Sequence, residues 1–269
     1  MRLVAVGEAD LEVDVRGAGE PVLLIQTALT ADEFLPLANQ PALQDSYRVI
    51  LYRRRGYGRS SPAEGPGSIV SDAGDCRDLL ALLDIERAHI VGVSYSAAVA
   101  LQLAVIDPTR VHTLTVIEPP PVCIPNAEEF VAANRELVEI YHSEGTRVAL
   151  DNFLTRLIGP DWRTELEAHL PGAVRQVERD AATFFASDIP ALLSWDFDAA
   201  AARNIQQPTL YIGGTDSGAW FAAVRKIMLD WLSPEDVVLE GADHNLVVTH
   251  PGQIARALTD FIARHPIDR

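Results

Sequence analysis

His89-Ile90-Val91-Gly92-Val93-Ser94-Tyr95-Ser96-Ala97-Ala98-Val99-Ala100-Leu101 carries the decision about the fold. An apolar strand over residues 89–91 enters a turn centred on Ser94, and an apolar helix over residues 97–105 leaves it. A strand-to-helix turn this tight lifts its serine above the sheet, and small residues on both sides let strand and helix approach. The second small position holds Ser96 in place of glycine, a mild departure from the G-x-S-x-G pattern. The plain structural alternative makes Ser94 only the N-cap of the helix, a role serine fills well.

Outward from this turn, short apolar runs recur at residues 22–25, 49–52, 114–117, 209–212 and 237–239. Nearly continuous runs of this kind mark parallel strands covered on both faces. Helical patterns separate several of them. In the clearest, Ser71 is placed to cap a helix whose Cys76, Leu79, Leu80 and Leu83 share one face. Residues 11–16 alternate apolar and charged, as in a half-exposed strand of an antiparallel edge hairpin. Strand, helix, strand in repetition argues an open α/β sheet.

The chain has 269 residues, enough for one large domain or one domain with an insertion. Its 22 basic against 38 acidic residues give a net charge of −16, so nucleic acid and anionic membrane surfaces are poor partners. Two cysteines, Cys76 and Cys123, are too few for a disulfide framework or a cysteine-rich zinc site, and both read as packing. The first ten residues turn acidic before a signal-peptide core develops, and no apolar run approaches about 18 residues. The expectation is a soluble cytoplasmic protein that uses no metal and no cofactor.

Strand signals stop between residues 117 and 209, where Phe130, Leu137, Val138 and Tyr141 lie on one helical face. Val174, Val177, Ala181, Phe184 and Phe185 do the same farther on. Pro119-Pro120-Pro121 opens this segment and Pro208 closes it. The division is therefore a core over residues 1–121 and 206–269, with a helical cap over residues 122–205 on the carboxyl side of the sheet, where open α/β sheets bind ligands.

Three motifs together make the chain resemble the α/β-hydrolase superfamily: the serine turn, Arg55-Gly56-Tyr57-Gly58-Arg59-Ser60 after a strand, and Gly241-Ala242-Asp243-His244 in a late loop. The resemblance covers nearly the whole chain. It implies a mostly parallel, eight-stranded sheet flanked by helices, with a helical cap. Dehalogenases and epoxide hydrolases of this superfamily carry Asp as nucleophile, so Ser94 points to acyl transfer instead.

A serine hydroxyl needs a base, and His244 stands where the superfamily delivers one. The acid has two candidates. The usual G-x-x-D pattern counted from Gly214 falls on Ser217, with Asp216 one residue early, while Glu118 follows the strand after the serine helix. The second arrangement resembles zearalenone-type lactonases. Pro119 is expected to hold Glu118 extended. Oxyanion donors are expected from the Tyr95 N–H and, by resemblance, from Ala28, with Leu29 possible, although Gln26-Thr27 replaces the superfamily's His-Gly. Leu29, Trp162, Phe184, Phe185, Trp195 and Trp220 are the candidate substrate contacts. Arg53 and Arg54 read as a solvated strand end, with attraction of an anionic substrate as the alternative.

The resulting expectation is a serine hydrolase of an ester or lactone of a hydrophobic small molecule. The competing reading is a ligand-binding receptor, or a biosynthetic cyclase or pseudoenzyme, on the same fold without net hydrolysis.

Overall fold

A computed structural model describes residues 1–267. Eight strands form one sheet: β1 (Arg2–Val6), β2 (Ala9–Arg16), β3 (Glu20–Leu24), β4 (Tyr47–Tyr52), β5 (Ala88–Val93), β6 (Val111–Ile117), β7 (Thr209–Gly214) and β8 (Glu235–Leu239). Their spatial order is β1-β2-β4-β3-β5-β6-β7-β8. From β4 to β8 every pairing is parallel, and β1 and β2 add an antiparallel hairpin at one end. This is the fold the three motifs imply.

The β1–β2 hairpin corrects two details. β1 is the edge and β2 is paired on both sides, and the charged positions of β2 do not all face water. Glu12 is buried and takes the backbone N–H and guanidinium of Arg59 at 2.8 and 2.7 Å. The helix Ile69–Leu82 also starts earlier than its apolar stripe suggests. Ser68, not Ser71, is its cap, and the Ser68 side chain accepts the Ser71 N–H.

Three apolar clusters organise the molecule. One packs Ile69–Leu82 and Tyr95–Ile106 on one face of the sheet, and another packs Pro251–Arg264 on the opposite face. The third joins helices lying between β6 and β7, among them Ala127–Glu144, Thr146–Ile158, Trp162–His169 and Ala173–Thr183, to Leu29 and Val248 of the sheet domain. Among the described residues, that segment contains no strand, and no helix of the chain is long and apolar enough to cross a membrane.

Strand order reverses between β3 and β5: the chain turns to β4 from one side of β3 and reaches β5 on the other. Loops leaving β3 and β5 therefore separate and open a crevice at the carboxyl edge, the place where open α/β sheets bind ligands.

Candidate active site

Ser94 follows β5 directly and precedes the helix Tyr95–Ile106, with φ 49° and ψ −121°. An L-residue is held there only under constraint. Its side chain makes no capping hydrogen bond, so the N-cap alternative does not describe it. Gly92 is required by space, because a Cβ there would stand 2.2 Å from the Ser96 carbonyl oxygen. Ser96 tolerates the second small position by turning inward: its Oγ accepts the Val93 N–H and donates to the Val93 carbonyl, both at 2.9 Å.

His244 lies in the loop after β8, and its Nδ1 is 2.7 Å from Glu118 Oε2. Both side chains are buried. The other carboxylate oxygen of Glu118 accepts the Gly214 N–H at 2.8 Å, which fixes the carboxylate between β6 and β7. Gly214 lets the histidine loop come this close, since a Cβ on it would meet the Ala242 oxygen at 2.1 Å. Glu118 is not extended, as the following proline suggests, but has φ 42°. Its N–H bonds Ile212 O at 3.1 Å while its side chain meets Gly214 and His244, and this turned backbone accommodates both. Asp216 makes no hydrogen bond to His244; it is exposed, and it accepts from its neighbour Thr215 at 2.9 Å. Ser217, at the position the usual pattern gives to the acid, carries a buried hydroxyl without a partner among the described residues.

Ser94 and His244 border one cavity of about 450 Å³, and Ala28 and Tyr95 border it too. Among the described residues, the backbone N–H groups of Ala28 and Tyr95 have no hydrogen-bond acceptor, as anion donors require. The Leu29 N–H is already given to Tyr57 Oη at 2.8 Å, which removes Leu29 as the second donor. No hydrogen bond joins Ser94 to His244 within the described residues; such contacts commonly tighten only around a bound substrate.

Of the aromatic and apolar residues singled out above, Leu29, Phe184 and Trp220 border the cavity. Trp162, Phe185 and Trp195 do not. Trp162 is 1% exposed and Phe185 is 0% exposed within the inserted helices, where Phe185 stacks on Tyr141 at 4.9 Å. Trp195 stacks on Phe197 and donates its indole N–H to Gln102 of the serine helix at 2.9 Å, so it fastens the insertion to the core.

A family described as the alpha/beta hydrolase family matches residues 17–257. The chain belongs to that family. The chain is 34% identical to a putative carbamate hydrolase, RutD, of Azorhizobium caulinodans over 41% of its length and 42% of that protein. It is 29% identical to RutD of Variovorax paradoxus over 94% of its length and 96% of that protein. A thermophilic esterase from Thermogutta terrifontis superposes with a TM-score of 0.85 at 19% identity, over 99% of this chain and 100% of that one. An enol-lactonase from Burkholderia xenovorans does so at 0.79 and 21% identity, over 97% and 100%. At these identities the two structures establish likeness of fold.

Within this alpha/beta hydrolase, sequence reasoning missed the residues that support the centre. Phe221 stacks on the His244 ring with centroids 3.8 Å apart. Arg54 is 2% exposed, so it is no solvated strand end. Its guanidinium reaches Asp188 of the insertion at 2.8 and 3.1 Å and Asp72 at 2.8 Å, while its Nε donates to the Gln26 carbonyl at 3.0 Å. It also lies 4.3 Å from the Tyr95 ring centre, and Tyr95 Oη donates to Asp72 at 2.7 Å. Tyr57 donates to Asp188 while it accepts the Leu29 N–H. Burial acts against the Arg54 charge, but Asp188 and Asp72 outweigh it and hold the guanidinium pKa well above its ordinary value. One buried cation thus ties together the loop of Ala28, the helix of Tyr95 and the insertion. Arg54 was legible only as one of three consecutive arginines, because its main partner lies 134 residues away.

Proposed function

We propose that the protein is a cofactor-free serine hydrolase that cleaves carboxylic esters or lactones of hydrophobic small molecules through an acyl-enzyme. The observation that carries this reading is the 2.7 Å contact of Glu118 with His244 Nδ1, beside a cavity bordered by His244 and by Ser94 with its positive φ. Glu118 fixes the ring so that Nε2 is the nitrogen left to take the Ser94 proton, and it stabilises the imidazolium that follows. Ser94 Oγ attacks the carbonyl, and the N–H groups of Ala28 and Tyr95 receive the developing oxyanion. His244 then returns the proton to the leaving oxygen, and water releases the acyl group by the same route.

The contact of Glu118 with His244 supports reading the acid after β6 as the arrangement of zearalenone-type lactonases. Relatives named as carbamate hydrolase, esterase and enol-lactonase support carbonyl hydrolysis as the common chemistry. A cavity bordered by Leu29, Leu137, Phe153, Phe184 and Trp220 favours an apolar acyl or alcohol group. Turnover of p-nitrophenyl esters by Ser94→Ala tests the proposal. The expected loss in kcat is about 10³-fold or more with the fold intact, and retention of more than about a tenth of the wild-type rate overturns it.

A further inference from the structure

The loop after β3 has no glycine before Gly56, yet Leu29 holds φ 62° in it. An L-residue stays in that region only where its surroundings over-determine it. Here they come from the core and from the insertion together. On the core side, Thr27 Oγ1 donates to the Val93 carbonyl at 3.0 Å, the Thr30 N–H closes on the Ala28 carbonyl at 2.7 Å, and Tyr57 Oη takes the Leu29 N–H. On the other side stands Gln176, buried on the inserted helix Ala173–Thr183. Its Nε2 donates to the Leu29 carbonyl at 2.9 Å, and its Oε1 accepts the Ala31 N–H at 3.0 Å.

The amide fits only one way round. Its second N–H goes to Asp180 Oδ2 at 3.1 Å, so a reversed amide would set N–H against N–H and its oxygen against two other oxygens. Asp180 is itself held by Arg179 at 2.6 and 2.8 Å. Farther along the helix, Thr183 Oγ1 donates to the Gly56 carbonyl at 2.8 Å. Residues 176, 180 and 183 share one helical face, which the insertion turns toward the core. Between the Thr27 anchor and the Gln176 clamp, Ala28 borders the cavity, and its N–H has no acceptor among the described residues.

We propose that Gln176 is a positioning residue for the oxyanion. By clamping Leu29 and Ala31 it aims the Ala28 N–H at the carbonyl under attack, so that this donor is in place only while the insertion is seated on the core. A donor contributes most when its direction is fixed before the charge develops. Gln176 is not among the residues bordering the cavity, so it acts through the loop and not on the substrate. The inference rests on the serine-hydrolase reading.

Gln176→Met keeps the length of the side chain and removes both bonds to the loop. With p-nitrophenyl butyrate, kcat is expected to fall about 10²-fold, the order lost with an oxyanion donor, while KM stays within about threefold. Two ligands separate positioning from packing. With 1,1,1-trifluoro-4-phenylbutan-2-one, Ser94 Oγ bonds to the carbonyl carbon, the Ser94 proton passes to His244, and the carbonyl oxygen becomes an oxyanion. The parent 4-phenylbutan-2-one offers the same skeleton without favouring that addition. Affinity for the trifluoro ketone is expected to fall about as far as kcat, with affinity for the parent ketone unchanged. A loss of both affinities together, as a merely structural role gives, or an unchanged kcat overturns the proposal. If the variant fails to fold, hydrogen exchange in the wild type decides: the Ala31 amide is expected to be protected by about 10²-fold or more, and exchange at the free-peptide rate overturns the clamp. A wild type that neither hydrolyses the ester nor prefers the trifluoro ketone refutes the hydrolase reading itself. An active wild type beside an equally active Gln176→Met refutes the positioning role alone.

Discussion

Leu29, Ser94 and Glu118 all hold positive φ, at 62°, 49° and 42°, and all three lie at or beside the candidate reaction centre. Such backbone costs of order 1–3 kcal/mol per residue, so the surrounding contacts must over-determine it. At Ser94 the determinants are Gly92 and the Ser96 hydroxyl; at Glu118 they are the Gly214 N–H and His244. Glu118→Gln keeps the volume and removes the charge opposite the imidazolium. A fall in kcat of about 10³- to 10⁴-fold is expected, while Asp216→Asn stays within about tenfold because its exposed carboxylate acts only through screened electrostatics. Steady-state kinetics on one p-nitrophenyl ester checks both, and the reverse ranking moves the acid to Asp216. At this scale the sequence displayed Ser94 and His244 through their motifs but left the acid open. Spacing from Gly214 says nothing about which carboxylate turns back toward the histidine, and that turn depends on a positive φ that the Pro119 rule argues against.

At the scale of elements, Arg54 supplies the buried ionic link between insertion and core, beside the Trp195–Gln102 hydrogen bond and the apolar contacts of Leu29 and Val248. Apolar periodicity made the inserted helices legible. It did not say which aromatic side chains point inward, because Trp162 and Phe185 build the insertion's own core at the same helical spacing as Phe184, which faces the cavity. A π-helical turn over Phe184–Asp188 brings Phe184 to the cavity and Asp188 to Arg54, and neither sequence pattern nor propensity marks it. Arg54→Met leaves the buried Asp188 and the half-buried Asp72 without their cation. Loss of one partner of such a pair costs about 3–5 kcal/mol, so urea unfolding is expected to register a destabilisation of that order. Folded enzyme recovered at low temperature is expected to lose kcat more than KM rises, because the loop of Ala28 and the helix of Tyr95 both lean on this guanidinium. An unchanged unfolding midpoint removes Arg54 from the account.

For the whole molecule, the reversal of strand order between β3 and β5 explains why the loop of Ala28, the turn of Ser94, Glu118 and His244 meet at one sheet edge although they span residues 28 to 244. A buried histidine inside the sheet makes stability depend on pH in the acid range. His89 in β5 bonds Thr113 at 2.8 Å, and burial first of all lowers its pKa to about 4, against the pull of Glu20. The unfolded chain takes up that proton near pH 6.5 and the folded chain only near 4, so stability from this group is intact above 6.5 and declines as pH falls through the interval. Replacement by His89→Gln is expected to flatten the pH dependence of urea unfolding between 6.5 and 4 by roughly 3 kcal/mol, and identical slopes in both proteins contradict it. The central claim, that Ser94 is the nucleophile of an acyl-transfer centre, is tested most directly by a fluorophosphonate probe followed by mass analysis of the intact chain and its peptides. The prediction is a single adduct on Ser94 that is absent from Ser94→Ala and slowed in Glu118→Gln. No adduct, or one on Ser96 or Ser217 with Ser94 unmodified, contradicts the account.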